Sequence, residues 1–250
     1  MGYPAYITNN LLYNLDYDTD VTSGTEDASY PLENLSDKNP ANVFKFTSAA
    51  SGYIEFDLGG SLDIDTCALI NHTFDSGDTV VIKADDFSPP TTEIMTLTYQ
   101  INDMFNYLSA PVTARYVRLE WTGATATPAI GELVLGELAL LTGKFRMNVL
   151  AIDIEEKIGR ETPRGVHSSF DMFSIKKKTY EFTNLTISQK AEFKAIHNTT
   201  EGDRYPFLWI PDVAKNTLLY GYKQADFRIS NAGINKFNFD LIMTSASRGE

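Results

Sequence analysis

The sequence predicts a mostly β protein of two domains: a β-sandwich over residues 1–143 and a second β domain with one short helix over residues 144–250. Three observations lead there. Short β-prone runs separated by turn residues follow one another from Tyr53 onward, the strand pattern restarts after Gly143, and the charge changes abruptly at the same place. A chain of 250 residues is long enough for two domains of ordinary size. With 43% apolar and 22% charged residues it has the composition of a folded protein rather than a disordered one.

Residues 1–50 are rich in Asn, Asp, Thr, Ser and Tyr and read as a lead-in outside the core, with a loop over 16–27. The runs YIEFDL, CALIN, TVVIKA, EIMTLTYQI, ARYVRLEW and IGELVLGELALL then read as strands. Within YIEFDL, Tyr53, Phe56 and Leu58 come close to alternating with Glu55 and Asp57. In RYVRLEW, Tyr116, Arg118 and Glu120 mark one face. Gly59-Gly60, Ser76-Gly77-Asp78 and Ser88-Pro89-Pro90 read as reversals between strands.

After Gly143, Phe145, Met147, Val149 and Ala151 fall on one face of a new strand. Residues 155–170 break all periodicity and predict a long exposed loop or hairpin. Thr186 and Gln189 have the spacing of a capping box, which predicts a helix whose inner face carries Ile187, Ala191, Ala195 and Ile196. The run from Arg204 to Ile210 reads as a core strand rather than an aromatic binding platform. Ala225, Phe227 and Ile229, then Phe237, Phe239, Leu241 and Met243, alternate as two further strands.

Residues 1–143 hold 20 acidic and 5 basic residues, a net of −15, whereas residues 144–250 are net +3. The acidic half disfavours nucleic acid, whose phosphates it would repel. No apolar run is long enough to span a bilayer and no secretion signal is read at the start, so no membrane insertion is expected. Cys67 is the one cysteine and reads as a buried strand residue.

Local signatures of catalysis are missing: there is no nucleophile elbow, phosphate-binding loop or Cys-His pairing. His72, His167 and His197 lie far apart, without zinc-ligand spacing, and neither metal nor cofactor is expected. Asp16, Asp18 and Asp20 space their carboxylates like the start of a calcium loop. Val21 and Asp27 stand where that loop needs Gly and Glu, and the plain reading is a solvated acidic loop. Lys176, Lys177 and Lys178 read as a solvated strand end or turn.

Two resemblances add to this. The segment ASGYIEFDLGGSLDIDTCALINH, then ARYVRLEW, then IGELVLGELALL, within residues 30–143, resembles the discoidin or galactose-binding-like family. Tyr53 to Gly59, Arg115 to Arg118 and Glu132-Leu133 occupy the places of its motifs. The resemblance implies a jelly-roll sandwich that often binds glycans or lipid head groups through loops at one end, with no ligand residue transferred. The paired cysteines of extracellular members are missing, and Phe44 or Phe46 stands where Trp is usual. Residues 145–154, 155–170, 187–197 and 205–211 resemble, in order and length, the sheet, long loop, helix and Pro-Phe strand of the tail-tube-like domain of phage distal tail and minor tail proteins.

Together the resemblances imply a non-enzymatic structural protein of a tailed-phage virion, made in the host cytoplasm. Its second domain would form a homo-oligomeric ring with other virion tail proteins, decorated by the sandwich. Arg160, Arg164 and His167, in the long loop, are the candidates for subunit contact, because two arginines on an exposed loop suit acidic neighbours. Two alternatives stand beside this. One is a lectin-like adhesion module that binds a host-surface glycan, and the other is a carbohydrate-active enzyme with scattered acids.

Overall fold

The computed structural model describes the backbone of residues 3–247 apart from 25, 49, 102, 124–125, 143–145, 154–158, 162–166, 170–173, 202–203, 214–216 and 224–228. Side chains are described for the same residues apart from 150–177, 217 and 245–247. The chain is mostly β and divides into two compact units, residues 1–140 with 210–218, and residues 141–209 with 219–250. The return of 210–218 to the first unit has no counterpart in the sequence pattern.

The first unit contains β1 (Ala5–Ile7), β2 (Val21–Ser23), β3 (Phe44–Lys45), β4 (Ser51–His72), β5 (Thr79–Asp85), β6 (Glu93–Leu97), β7 (Asp103–Thr122), β8 (Ala129–Gly136) and β9 (Ala139–Leu140). Two long strands organise it. The first half of β4 pairs with β2 and with the second half of β7, which pairs in turn with β5, and β5 with β6. The second half of β4 pairs with β8 and with the first half of β7, and β8 pairs with β3. Each long strand therefore runs through both layers of a jelly-roll-type sandwich. All these pairings are antiparallel.

This arrangement corrects the reading of Gly59-Gly60 as a reversal. YIEFDL and CALIN are halves of one strand, and the glycines sit where the register with β7 slips between Asp57 and Leu62. Gly59 has φ +73, a value open to glycine at little cost, so the strand bends there instead of turning back. A single hydrophobic cluster fills the unit, with Ile54, Phe56, Val80, Ile82, Val117, Leu119 and Trp121 from one layer and Leu69, Met104, Leu133 and Leu135 from the other. Tyr53 points out of it and Ile54 points in, the reverse of the expected phase at that position.

The lead-in is also part of the core. Leu12, Val21, Leu32, Leu35, Phe44 and Phe46 are buried in the same cluster. Phe46 packs edge-on against Phe44 and Trp121, with ring centroids 4.8 and 5.2 Å apart. Its loop-like composition hid these side chains, because isolated apolar residues between turns carry no periodicity.

The rest of the chain forms β10 (Arg146–Asp153), β11 (Gly159–Glu161), β12 (His167–Ser169), β13 (Ser174–Leu185), α1 (Ile187–Thr199), β14 (Phe207–Asp212), β15 (Thr217–Lys223), β16 (Ile229–Gly233) and β17 (Lys236–Ser247), all in the second unit except the end of β14 from Ile210 and the start of β15 up to Leu218, which belong to the first. β13 is paired along one edge by β10 and along the other by β17, and β16 and β15 share the far edge of β17. Tyr180 and Phe182 of β13 and Phe239, Leu241 and Met243 of β17 are buried on one face, as the alternation in the last strand predicts. Ala225 and Phe227 lie outside the described residues. Phe207 to Ile210 are all buried, in agreement with the core-strand reading.

The helix begins as expected. The Thr186 hydroxyl accepts from the Gln189 N–H, and the Gln189 side chain accepts from the Thr186 N–H at 2.9 Å, closing a capping box. Its buried face differs from the expected one. Gln189, Phe193, Ile196 and Thr200 face inward at helical spacing, while Ile187, Ala191 and Ala195 are exposed. Phe193 decides this orientation, with its ring 4.8 Å from that of Phe182 and 4.6 Å from that of Phe239. Val149, on the apolar face of the strand read after Gly143, is 49% exposed on β10 at the end of the sheet order.

Candidate functional site

The loop over 155–170 carries a two-stranded ribbon in which Arg160 pairs with Ser168 and Glu161 with His167. This agrees with the hairpin reading. Arg164 lies outside the described residues, and so do the side chains of Arg160 and His167. Lys176, Lys177 and Lys178 are paired on both sides within β13 rather than standing at a strand end or turn.

Asp16, Asp18 and Asp20 form a closed turn in which the Asp16 N–H donates to Asp20 Oδ2 at 2.9 Å and the Asp18 N–H to Asp16 Oδ1 at 3.1 Å. These carboxylates cap their own backbone. Among the described residues, no three or more His, Cys, Asp or Glu side chains are grouped to hold a metal ion.

His72 closes β4 in a buried position. Its Nδ1 accepts from the Phe74 N–H at 3.2 Å and its Nε2 lies 3.0 Å from the Gln100 carbonyl, so the ring is a neutral tautomer with the proton on Nε2. Burial holds its pKa down at about 4, against a smaller opposing effect of the Gln100 carbonyl. The Cys67 thiol is fully buried, and desolvation raises its pKa. Both are structural residues.

Charged side chains line the outer face of the first layer. Arg118 meets Glu55 at 2.5 Å and Glu120 at 3.2 Å and lies 4.3 Å above the Tyr53 ring, while Lys83 meets Glu120 at 2.5 Å. Arg115 binds Asp57 through two parallel hydrogen bonds of 2.7 Å, which hold the carboxyl at a pKa of about 2. Positive and negative groups are matched one against another. The row closes on itself and offers no convergent unpaired group to a ligand.

A cavity of about 290 Å³ in the first unit is different. It is lined by Tyr6, Thr8, Asn9, Leu11, Leu62, Asp63, Glu137 and Ala139. Three features hold its walls. Asn10, 2% exposed, donates to the Leu133 carbonyl at 2.7 Å and accepts from the Leu135 N–H at 3.1 Å, which pins residues 8–11 to β8. Gly136 lets that segment approach, since a Cβ there would sit 3.0 Å from the Asn9 carbonyl. The buried Asp65 accepts from the Leu138 N–H at 2.7 Å and fixes the turn before β9.

The bend of β4 supplies the remaining wall, placing Leu62, 39% exposed, beside Asp63. Thr113 Oγ1 donates to Asp63 Oδ1 at 2.6 Å and orients that carboxylate. Apolar surface, the Asn9 amide, the hydroxyl-bearing Tyr6 and Thr8 and the exposed Asp63 and Glu137 thus border one open depression. The sequence reading missed this site. Its residues come from three distant stretches with no shared motif, and the only local signal is the Gly-Gly before Leu62.

No family model matches the chain, and no curated protein matches it. Solved structures match about half of it. A CBM32 module produced by Clostridium perfringens is 18% identical, covering 51% of this chain and 98% of its own, with a TM-score of 0.42. Chitosan-binding module 1 of a chitosanase/glucanase from Paenibacillus sp. IK-5 is 19% identical, covering 52% and 99%, with a TM-score of 0.43. The family 32 CBM from C. perfringens NanJ, in complex with galactose, is 15% identical, covering 48% and 92%, with a TM-score of 0.40.

Proposed function

We propose that the first unit is a saccharide-binding module and that the chain works by binding, not by catalysis. The observation that carries this reading is the cavity in which Tyr6, Leu11 and Leu62 stand beside Thr8, Asn9, Asp63 and Glu137. A sugar ring presents apolar C–H faces and a rim of hydroxyls. Aromatic and aliphatic walls suit the faces, while carboxylates and an amide accept from or donate to the hydroxyls.

Galactose and chitosan, named for the similar solved structures, are the natural first probes. The full chain tested on a glycan array is expected to retain one saccharide class, with binding lost in Tyr6→Ala and Asn9→Ala variants that stay folded. Absence of binding to every glycan, or binding indifferent to both variants, would overturn the reading. In the enzyme alternative, polysaccharide turnover would disappear on removing Asp63 or Glu137.

A second reading, a ring-forming tail component of a virion, is favoured by one observation. Among the described residues β10 is paired on one side only, and Val149 on it is half exposed. Open strand edges of this kind join neighbouring subunits. Particle mass in solution tests it: growth of discrete rings with concentration supports assembly, and a strict monomer at high concentration counts against it.

A further inference from the structure

We infer that two copies of this chain associate through β10, whose outer edge pairs antiparallel with β10 of the second copy about a two-fold axis that passes perpendicular to the sheet at Val149. The inference stands on that edge alone, independent of the saccharide reading, and it ends at two copies where the ring reading continues.

An unpaired strand edge is a template for another strand, and folded chains protect theirs with short strands, bulges, proline or charge. Edges elsewhere in this chain carry such devices. β3 is two residues long, β6 is five residues with a register slip against β5 between Ile82 and Lys83, and β16 slips against β17 between Asn231 and Gly233. β10 has none of them within its length. Its register with β13 runs unbroken from Arg146 opposite Thr183 to Asp153 opposite Lys176, and residues 147–152 include no charge, proline or glycine. Among the described residues nothing pairs with its other side.

The face of the sheet shows what that edge lacks. Val149 lies opposite Tyr180 of β13, on the face that buries Tyr180 and Phe182, yet it is 49% exposed. The apolar face therefore runs out to the edge uncovered, and a second sheet joined there continues it, because the two-fold keeps both apolar faces on the same side. Val149 then meets its own copy, with Met147 opposite Ala151 and Arg146 opposite Ile152, so no like charges oppose each other. Charge also selects the antiparallel orientation. The strand begins at Arg146 and ends at Asp153, so each basic start lies beside the partner's acidic end, whereas in-register parallel pairing would set Arg146 against Arg146.

The test is sedimentation of the full chain over a rising concentration series, together with cysteine variants under oxidation. The parent is expected to pass from one copy to two and to stop there. Val149→Lys, which sets two like charges together at the axis, should weaken that association at least about tenfold. Ile187→Lys, at a side chain 59% exposed on α1, should leave it unchanged. Opposed antiparallel residues have Cα atoms about 4.5–5.5 Å apart, within reach of a disulfide. Val149→Cys should therefore form a covalent dimer that reductant reverses, Ile187→Cys should not, and Cys67, fully buried, stays out of the reaction. A chain that remains a monomer, a mass that grows beyond two copies, or equal behaviour of the Val149 and Ile187 variants would overturn the inference. Trp209 emission checks that the lysine variants are folded, and the cysteine pair decides the matter if one is not.

Discussion

The two units solve the burial problem of a sheet in different ways. In the first, two strands of 22 and 20 residues bend through both layers, so the sandwich covers its own inner faces with residues such as Ile54, Leu69, Leu119 and Leu133. In the second, the single described α-helix lays Phe193 between Phe182 and Phe239, so an aromatic cluster is the cover. The first combines many aliphatic contacts with a ring cluster of its own, Phe44, Phe46, Phe74 and Trp121, buried between the two layers. The second sets its ring cluster, Phe182, Phe193 and Phe239, between helix and sheet.

Each unit carries one of the two tryptophans, Trp121 in the first and Trp209 in the second, both buried. Single-tryptophan variants therefore report on the units separately, and four changes sharpen the contrast. Phe193→Ala should cost the second unit about 3–5 kcal/mol, seen as early loss of the Trp209 signal in denaturant while the Trp121 transition holds. An unshifted Trp209 midpoint would show that the helix is not the cover.

Gly131→Ala should act in the opposite unit, by about 3 kcal/mol, because its Cβ would fall 2.3 Å from the Pro40 carbonyl oxygen, where backbone on both sides must move. The Trp121 midpoint should drop and the Trp209 midpoint stay.

Acid should also single out the first unit. His72 is held neutral when folded, with a pKa of about 4, against 6.5 for an exposed ring. Unfolding therefore takes up a proton between those values. The stability is fully present above pH about 6.5 and is lost as pH falls toward 4, by roughly 2–3 kcal/mol. The Trp121 transition of the parent should weaken across that window more than that of His72→Gln; parallel curves would remove His72 as the cause.

The smallest effect is Thr186→Ala, which deletes the cap of α1 and should lower the Trp209 midpoint by about 1 kcal/mol. A Thr186→Ser variant should recover most of that loss.

Where the signal is local, the sequence was a sound guide. The Thr186 to Gln189 spacing marked the helix start, the Tyr116, Arg118, Glu120 series marked an outer face, and the Phe207 to Ile210 run marked a core strand. It misled where a distant partner decides. Gly59-Gly60 looked like a turn, but β7 runs alongside both halves of β4 and carries the pairing past the slip. Ile187, Ala191 and Ala195 looked like the inner face of the helix, but the ring of Phe193 had two aromatic partners waiting on the sheet.

The candidate site lies at the far end of that scale. Asn10 sits 125 residues from Leu135, and nothing in either stretch announces the bond between them. The amino-acid sequence by itself determined the β class, the helix cap and the acidic character of the first half, because these depend on composition and on neighbours a few residues apart. Only the tertiary structure decided which strands are continuous, which helix face is buried and where the cavity opens. Those depend on pairings between residues that the chain brings together only once it has folded.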